Sequence, residues 1–223
     1  MKPLICVALT CRNTEQTITR IQGLSSPDLI EIRFDYCTEP IDPSQIRDAT
    51  ETPLIATNRP VYQGGLSKEA EEGRLKTLYE ACEARFEYAD VEFAAPASGD
   101  AVKRVHDAGS RCILSHHDFE ATPTLEELNR LHARAKSLGA DLVKLVGTAN
   151  CYSDNIIYLA YLSEKPGNVS FGMGLHGVPS RVLSPLMGGA FTCASTEEGD
   201  ESAPGQLTLG KMRELYEAMG VGP

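Results

Sequence analysis

The chain has 223 residues, of which 42% are hydrophobic, enough to bury one large core or two small ones. Its 21 Lys and Arg against 31 Asp and Glu leave a formal charge of −10. That balance argues against sequence-independent binding to nucleic acid or to an anionic membrane, both of which want a basic face. Seven scattered cysteines without a C-x-x-C pair suggest neither a disulfide framework nor a thiolate zinc site.

The N-terminus, MKPLICVALT, runs straight into a strand-like segment with no small-residue cleavage site. No later run approaches the roughly 18 to 20 apolar residues of a membrane span, so a soluble, cytoplasmic protein is expected. From there, short β-rich runs alternate with helical patterns. LICVALT leads to a helical stretch ending at Gly23, then come DLIEIRF, PLIATNR and an amphipathic stretch from Ser67 to Arg85. YADVEFA, a segment closed by Gly109, RCILSHHD, and an amphipathic stretch from Thr124 to Leu138 before Gly139 follow. DLVKLVGTA, NVSFGMG, AFTCAS and a last amphipathic stretch, Leu209 to Met219, complete the series. Gly23, Gly109 and Gly139 are placed as helix C-caps.

Eight strands starting 22 to 35 residues apart carry the βα rhythm of a parallel sheet. Between an open doubly wound sheet and a closed (β/α)8 barrel, the count of eight at this length favours the barrel. The expected fold is thus α/β, a single-domain (β/α)8 TIM barrel with parallel strands spanning residues 1–223. TEEGDESAPGQ, from Thr196, reads as a long loop after the last strand, on the face where such barrels do chemistry.

Several motifs tempt and fail. GMGLHG, Gly172 to Gly177, fits G-x-G-x-x-G, but lies near the chain's end instead of in the first βα turn, where a dinucleotide fingerprint belongs. GQLTLGKM, Gly205 to Met212, has Met212 where a P-loop needs a hydroxyl for magnesium. HHD, His116 to Asp118, could ligate a metal, yet adjacent strand residues face opposite sides, so both histidines cannot reach one site without a bulge.

DLVKLV, Asp141 to Val146, is different. Lys144 sits in the middle of a strand with helices outside and packed side chains inside, so snorkelling has no outlet and the ammonium can reach only the barrel mouth. There it is a candidate nucleophile toward a ketone. Such an attack needs the free amine, and with a reference pKa of about 10.4 the site is expected to lower that value by desolvation and nearby cations. Arg33, Arg59 and Arg181, at other strand ends, are expected to supply those cations and to clamp a carboxylate.

EIRFD (Glu31 to Asp35), TNRPVYQGG (Thr57 to Gly65), SHHDF (Ser115 to Phe119), DLVKLV, PSR (Pro179 to Arg181) and SAPGQ (Ser202 to Gln206) together resemble the type I 3-dehydroquinate dehydratase family. The resemblance spans nearly the whole chain. It implies a lyase of the shikimate pathway, in aromatic amino acid biosynthesis, that dehydrates 3-dehydroquinate to 3-dehydroshikimate with no cofactor and no metal. Lys144 then matches the imine-forming lysine and His117 the general acid/base. Glu31 matches an acidic partner near that histidine and, with Arg33 and Arg59, a contact to the substrate's polar groups. Arg181 matches the carboxylate-binding arginine, expected at a helix start, and Ser202 and Gln206 match contacts of a closing loop.

Some positions depart from the better-known bacterial pattern. Gln63 stands where many members carry a glutamate beside the histidine, and His116 is a candidate to share the proton work. The N-terminal hairpin that plugs the barrel in some members is expected to be missing, and the end at Pro223 leaves open a monofunctional enzyme or a part of a longer one. The expected partner is a small anionic substrate, with no nucleic acid and no membrane; a homodimer is left open. A class I aldolase needs the same lysine but not SAPGQ or the three arginines. A silent anion-binding barrel and a metal hydrolase built on HHD are the other rivals.

Overall fold

The structure, a computed structural model, describes residues 2–95 and 97–221. Each β-rich run becomes a strand: β1 (Ile5–Leu9), β2 (Leu29–Arg33), β3 (Leu54–Thr57), β4 (Tyr88–Glu92), β5 (Arg111–Asp118), β6 (Leu142–Thr148), β7 (Val169–Met173) and β8 (Thr192–Ala194). Helices α1 (Thr14–Gly23), α2 (Pro43–Asp48), α3 (Glu71–Glu83), α4 (Ser98–Asp107), α5 (Leu125–Ser137), α6 (Asn155–Glu164), α7 (Val178–Leu183) and α8 (Leu209–Ala218) fill the connections. All pairings are parallel, in the order β7-β6-β5-β4-β3-β2-β1-β8.

β1 has β2 on one side and β8 on the other, so the sheet curls into an almost closed barrel. Among the described residues no ladder joins β7 to β8. That seam is bridged only near its ends, where Ala190 N–H donates to Asn168 O at 2.8 Å and Gly174 N–H donates to Pro204 O at 3.0 Å.

Strand alternation divides the side chains between two cores. Outward residues such as Val7, Ile32, Leu54, Val91, Leu114 and Val143 pack against helical Leu78, Val105, Leu128 and Tyr158. Inward residues form a small apolar floor, with Leu29, Ile55, Ile113, Leu142 and Val169 among them. One alternation higher, the inward positions turn polar: Glu31, Thr57, Asp90, Ser115 and Lys144, all buried. The fold therefore places charge above a hydrophobic plug, where water is scarce.

Helix ends follow local chemistry. Thr124 caps α5 in a capping box with Glu127, and Gly109 and Gly139 take the left-handed conformation after α4 and α5 (φ +85° and +96°). Gly23 does not act as a cap. It is the last residue of α1, and Leu24 leaves in an extended conformation while its N–H bonds back to Ile21 O. GMGLHG serves packing, because a Cβ on Gly177 would lie 2.3 Å from Gly172 backbone atoms. The turn after β7 folds back against its own strand. No helix of the described residues is long and apolar enough to cross a membrane.

Candidate active site

Lys144 faces inward from the middle of β6 and is only 6% exposed. Its Nζ donates to Asp90 Oδ2 at 3.0 Å and lies 3.7 Å from Glu31 Oε1. Burial alone would lower its pKa, but the carboxylates of Asp90 and Glu31 outweigh burial and Arg59, and the value rises above that of a free lysine. This corrects the expectation of a depressed pKa. Two of the cations counted on to repel the ammonium, Arg33 and Arg59, are themselves paired with carboxylates.

Arg59 pairs with Asp90 at 2.8 Å and with Glu92 at 3.4 Å, and donates to Ser115 Oγ at 2.6 Å. Arg33 is held by Asp35 through two bonds of 2.9 and 2.7 Å, and Arg74 holds the other Glu92 oxygen at 2.7 Å. Burial would raise the Asp90 carboxyl, yet Arg59 and Lys144 hold it well below the usual carboxylate range. Glu31 lines the same cavity as His117; it accepts from Thr57 Oγ1 at 2.7 Å and neighbours Lys144.

Asp90 and Glu92 escaped sequence reasoning, although a signal existed. In YADVE they sit two apart on the inward face of a buried strand, the same anomaly that singled out Lys144.

His117 and His116 diverge, as alternation requires. His117 turns into the cavity with Lys144, Arg33, Arg59 and Arg181, while His116 lines a separate hollow among Phe93, Ser98, Asp100 and Arg134. His116 is thus no candidate for shared proton work. Burial, then the charges of Arg59 and Lys144, drive the His117 pKa well below the ordinary value. Its Nδ1 is buried without a hydrogen-bond partner. Gln63 does not reach the ring; its Oε1 accepts from the His117 backbone N–H at 3.3 Å. The imidazole instead stacks beside Phe119, with ring centroids 6.2 Å apart.

Arg181 is 1% exposed and, among the described residues, has no carboxylate partner. Nη1 lies 3.5 Å from Cys193 O, Nη2 3.4 Å from Pro204 O, Nε is unpartnered, and the guanidinium lies 4.4 Å from the Phe171 ring centre. Burial pulls its pKa down to about 10, so it stays cationic at neutral pH. It sits in the last turn of the six-residue α7, not at the helix start, so a helix dipole does not assist it.

The buried charges in and just behind the cavity wall can be counted. Arg33, Arg59, Arg74 and Lys144 face Glu31, Asp35, Asp90 and Glu92, four against four, and Arg181 is a fifth cation. The cavity thus carries one uncompensated positive charge, a fit for one carboxylate.

The loop after β8 covers this opening. Ser202 donates its N–H and Oγ–H to Gln206 Oε1 at 2.7 and 3.2 Å, and both residues line the cavity with Ala203 and Pro204. Gly205 (φ +75°) lets the loop touch the end of β7, since a Cβ there would lie 2.3 Å from Gly174 O. Among the described residues no cluster of three or more His, Cys, Asp or Glu could hold a metal ion.

A profile of the family described as type I 3-dehydroquinase matches residues 5–223. The chain belongs to that family. It is accordingly an enzyme, a hydro-lyase. It is 33% identical to a 3-dehydroquinate dehydratase of Dehalococcoides mccartyi over 97% of this chain and 96% of that protein. A 3-dehydroquinate dehydratase of Methanocaldococcus jannaschii is 31% identical over 97% of this chain and 99% of the other. Among solved structures, the type I 3-dehydroquinate dehydratase of Clostridium difficile with covalently modified comenic acid superposes with a TM-score of 0.88. That pair is 25% identical and covers 98% of this chain and 92% of the other.

Proposed function

We propose that the protein dehydrates 3-dehydroquinate to 3-dehydroshikimate, a step of the shikimate pathway, through an imine on Lys144. The observation that carries this reading is a buried mid-strand lysine sharing one cavity with a neutral histidine and a carboxylate-free arginine.

Arg181 takes the substrate carboxylate, which cancels the surplus charge. The ketone then meets Lys144, whose ammonium must first shed a proton. Asp90 is a poor acceptor because Arg59 and Lys144 keep its carboxyl so acidic; Glu31, at 3.7 Å, is the alternative. Condensation returns that proton to the carbinolamine oxygen, which leaves as water, so the acceptor is a carboxylate again and an iminium stands where the ammonium stood. The same two carboxylates that held the ammonium now stabilise that charge without rearranging.

The iminium withdraws electrons from the adjacent carbon. His117, neutral in its buried setting, removes a proton there as general base. The resulting enamine expels the hydroxyl of the next carbon, protonated by the imidazolium, and water hydrolyses the imine to free product and lysine. Arg33 and Arg59, braced by Asp35 and by Asp90 and Glu92, present donors to the ring hydroxyls. Ser202 and Gln206 close the mouth and keep bulk water from the iminium.

Borohydride added with 3-dehydroquinate tests the mechanism. Reduction is expected to inactivate the protein and leave the mass of the reduced adduct on the Lys144 peptide. A label on another lysine, or full activity after treatment, would remove Lys144 from the chemistry.

A further inference from the structure

Two cysteines lie beside the reacting lysine with no part in the dehydration. Cys6 of β1 and Cys193 of β8 are register partners on neighbouring parallel strands. Both are buried and belong to the inward-facing apolar cluster, so their side chains share one face of the sheet. Cys193 borders the cavity together with Lys144, Glu31 and Arg181. Neighbouring strands run about 4.8 Å apart, inside the range of about 4.4 to 6.8 Å that disulfides span between Cα atoms.

We propose that Cys6 and Cys193 are a peroxide-responsive thiol pair in the cavity wall, closing to a disulfide that reversibly switches the enzyme off. The two thiols are unequal. Contact with the Cys6 thiol and the charge of Lys144 pull Cys193 below its ordinary pKa despite burial, whereas burial and the neighbouring Cys193 push Cys6 up. Cys193, which borders the cavity and lies near Lys144, meets the oxidant first, and Cys6 stands behind it as the resolving thiol.

The chemistry needs one hydroperoxide, the oxidant, entering by the mouth. The Cys193 thiolate attacks an oxygen of hydrogen peroxide, the O–O bond breaks, and hydroxide leaves and is protonated to water. Cys193 is then a sulfenic acid, oxidised by two electrons. The Cys6 sulfur attacks Cys193 sulfur as its own proton departs, the S–O bond breaks, and a second water leaves. In sum, two thiols and one peroxide give one disulfide and two waters.

The position explains the effect on activity. Cys193 O accepts from Arg181 Nη1 at 3.5 Å, and the loop that carries Ser202 and Gln206 follows β8 directly. Drawing Cys193 toward β1 shifts the carboxylate receptor and the cover together. The short β8, with three residues and no ladder to β7, is the strand best able to move.

The test treats the reduced full chain with hydrogen peroxide, quenches with catalase, and maps peptides without reductant. The expected result is a Cys6–Cys193 cross-link two hydrogens lighter than the separate peptides, rising in step with at least a tenfold loss of activity. Dithiothreitol is expected to restore activity. In Cys6→Ala the starting activity is retained, no cross-link forms, and dimedone labels the sulfenic acid on Cys193. Unlinked Cys6 and Cys193 after activity has gone, or both thiols free at full activity, would overturn the proposal. The wild-type map decides alone if the variant does not fold.

Discussion

On the wall built by β2 to β6, each buried cation lies against a carboxylate: Lys144 on Asp90 and Glu31, Arg59 on Asp90 and Glu92, Arg33 on Asp35. On the opposite side, Arg181 leans on two carbonyl oxygens and the face of Phe171. The first wall holds a finished electrostatic network, and the second an unfinished one. A network complete before substrate arrives keeps reacting groups fixed, whereas a lone cation reserves its interaction for the ligand. On the proposed mechanism, the two walls divide positioning from binding.

Cutting the network is the harshest way to probe that division. Asp90→Asn leaves Lys144 and Arg59 each short of a buried charge, and is expected to lower the unfolding free energy by about 3 to 5 kcal/mol, read by urea denaturation. A variant as stable as wild type would mean that the wall is not held by its charges.

Arg181→Gln should do the reverse. Removing a buried charge that has no carboxylate partner is expected to leave the urea midpoint unchanged or higher. KM should rise about 30-fold or more, the lower end of about 2 kcal/mol for a desolvated charged pair, with a smaller change in kcat. Equal losses of stability and affinity would place Arg181 in the scaffold.

The smallest effect concerns His117. Burial, Arg59 and Lys144 depress its pKa, so the imidazole stays neutral as pH falls through 6.5 and gains its proton only at lower pH. The acid limb of kcat/KM, which reports the free enzyme, is expected below pH 6.5. A limb at or above 6.5 assigned to His117 would show that the cations of the paired wall do not reach the ring.

Much of this was legible in the sequence. Eight β-rich runs became eight strands because period-two burial and βα spacing are local patterns. Lys144 stood out because a buried strand has no outlet for a charge. What escaped depends on how strands align sideways. The register setting Thr57 beside Asp90 and Ser115 beside Lys144 brings Asp90 between Arg59 and the lysine, and no one-strand pattern encodes it. Hence a one-strand pattern reads the charge state of Lys144 the wrong way round. Gly23 misled because a glycine after a helical run reads as a cap, whereas α1 closes through Leu24.

The interruption between β7 and β8 makes the ring a split collar instead of a hoop. Phe171, Met173 and Cys193, on its two lips, border the cavity. In the proposed dehydration the substrate flattens on forming its carbon–carbon double bond, and these lips can spread or settle with no strand ladder between them to break. On that mechanism the change of shape is absorbed on the compliant side, and Lys144 and His117 on the rigid side keep their aim.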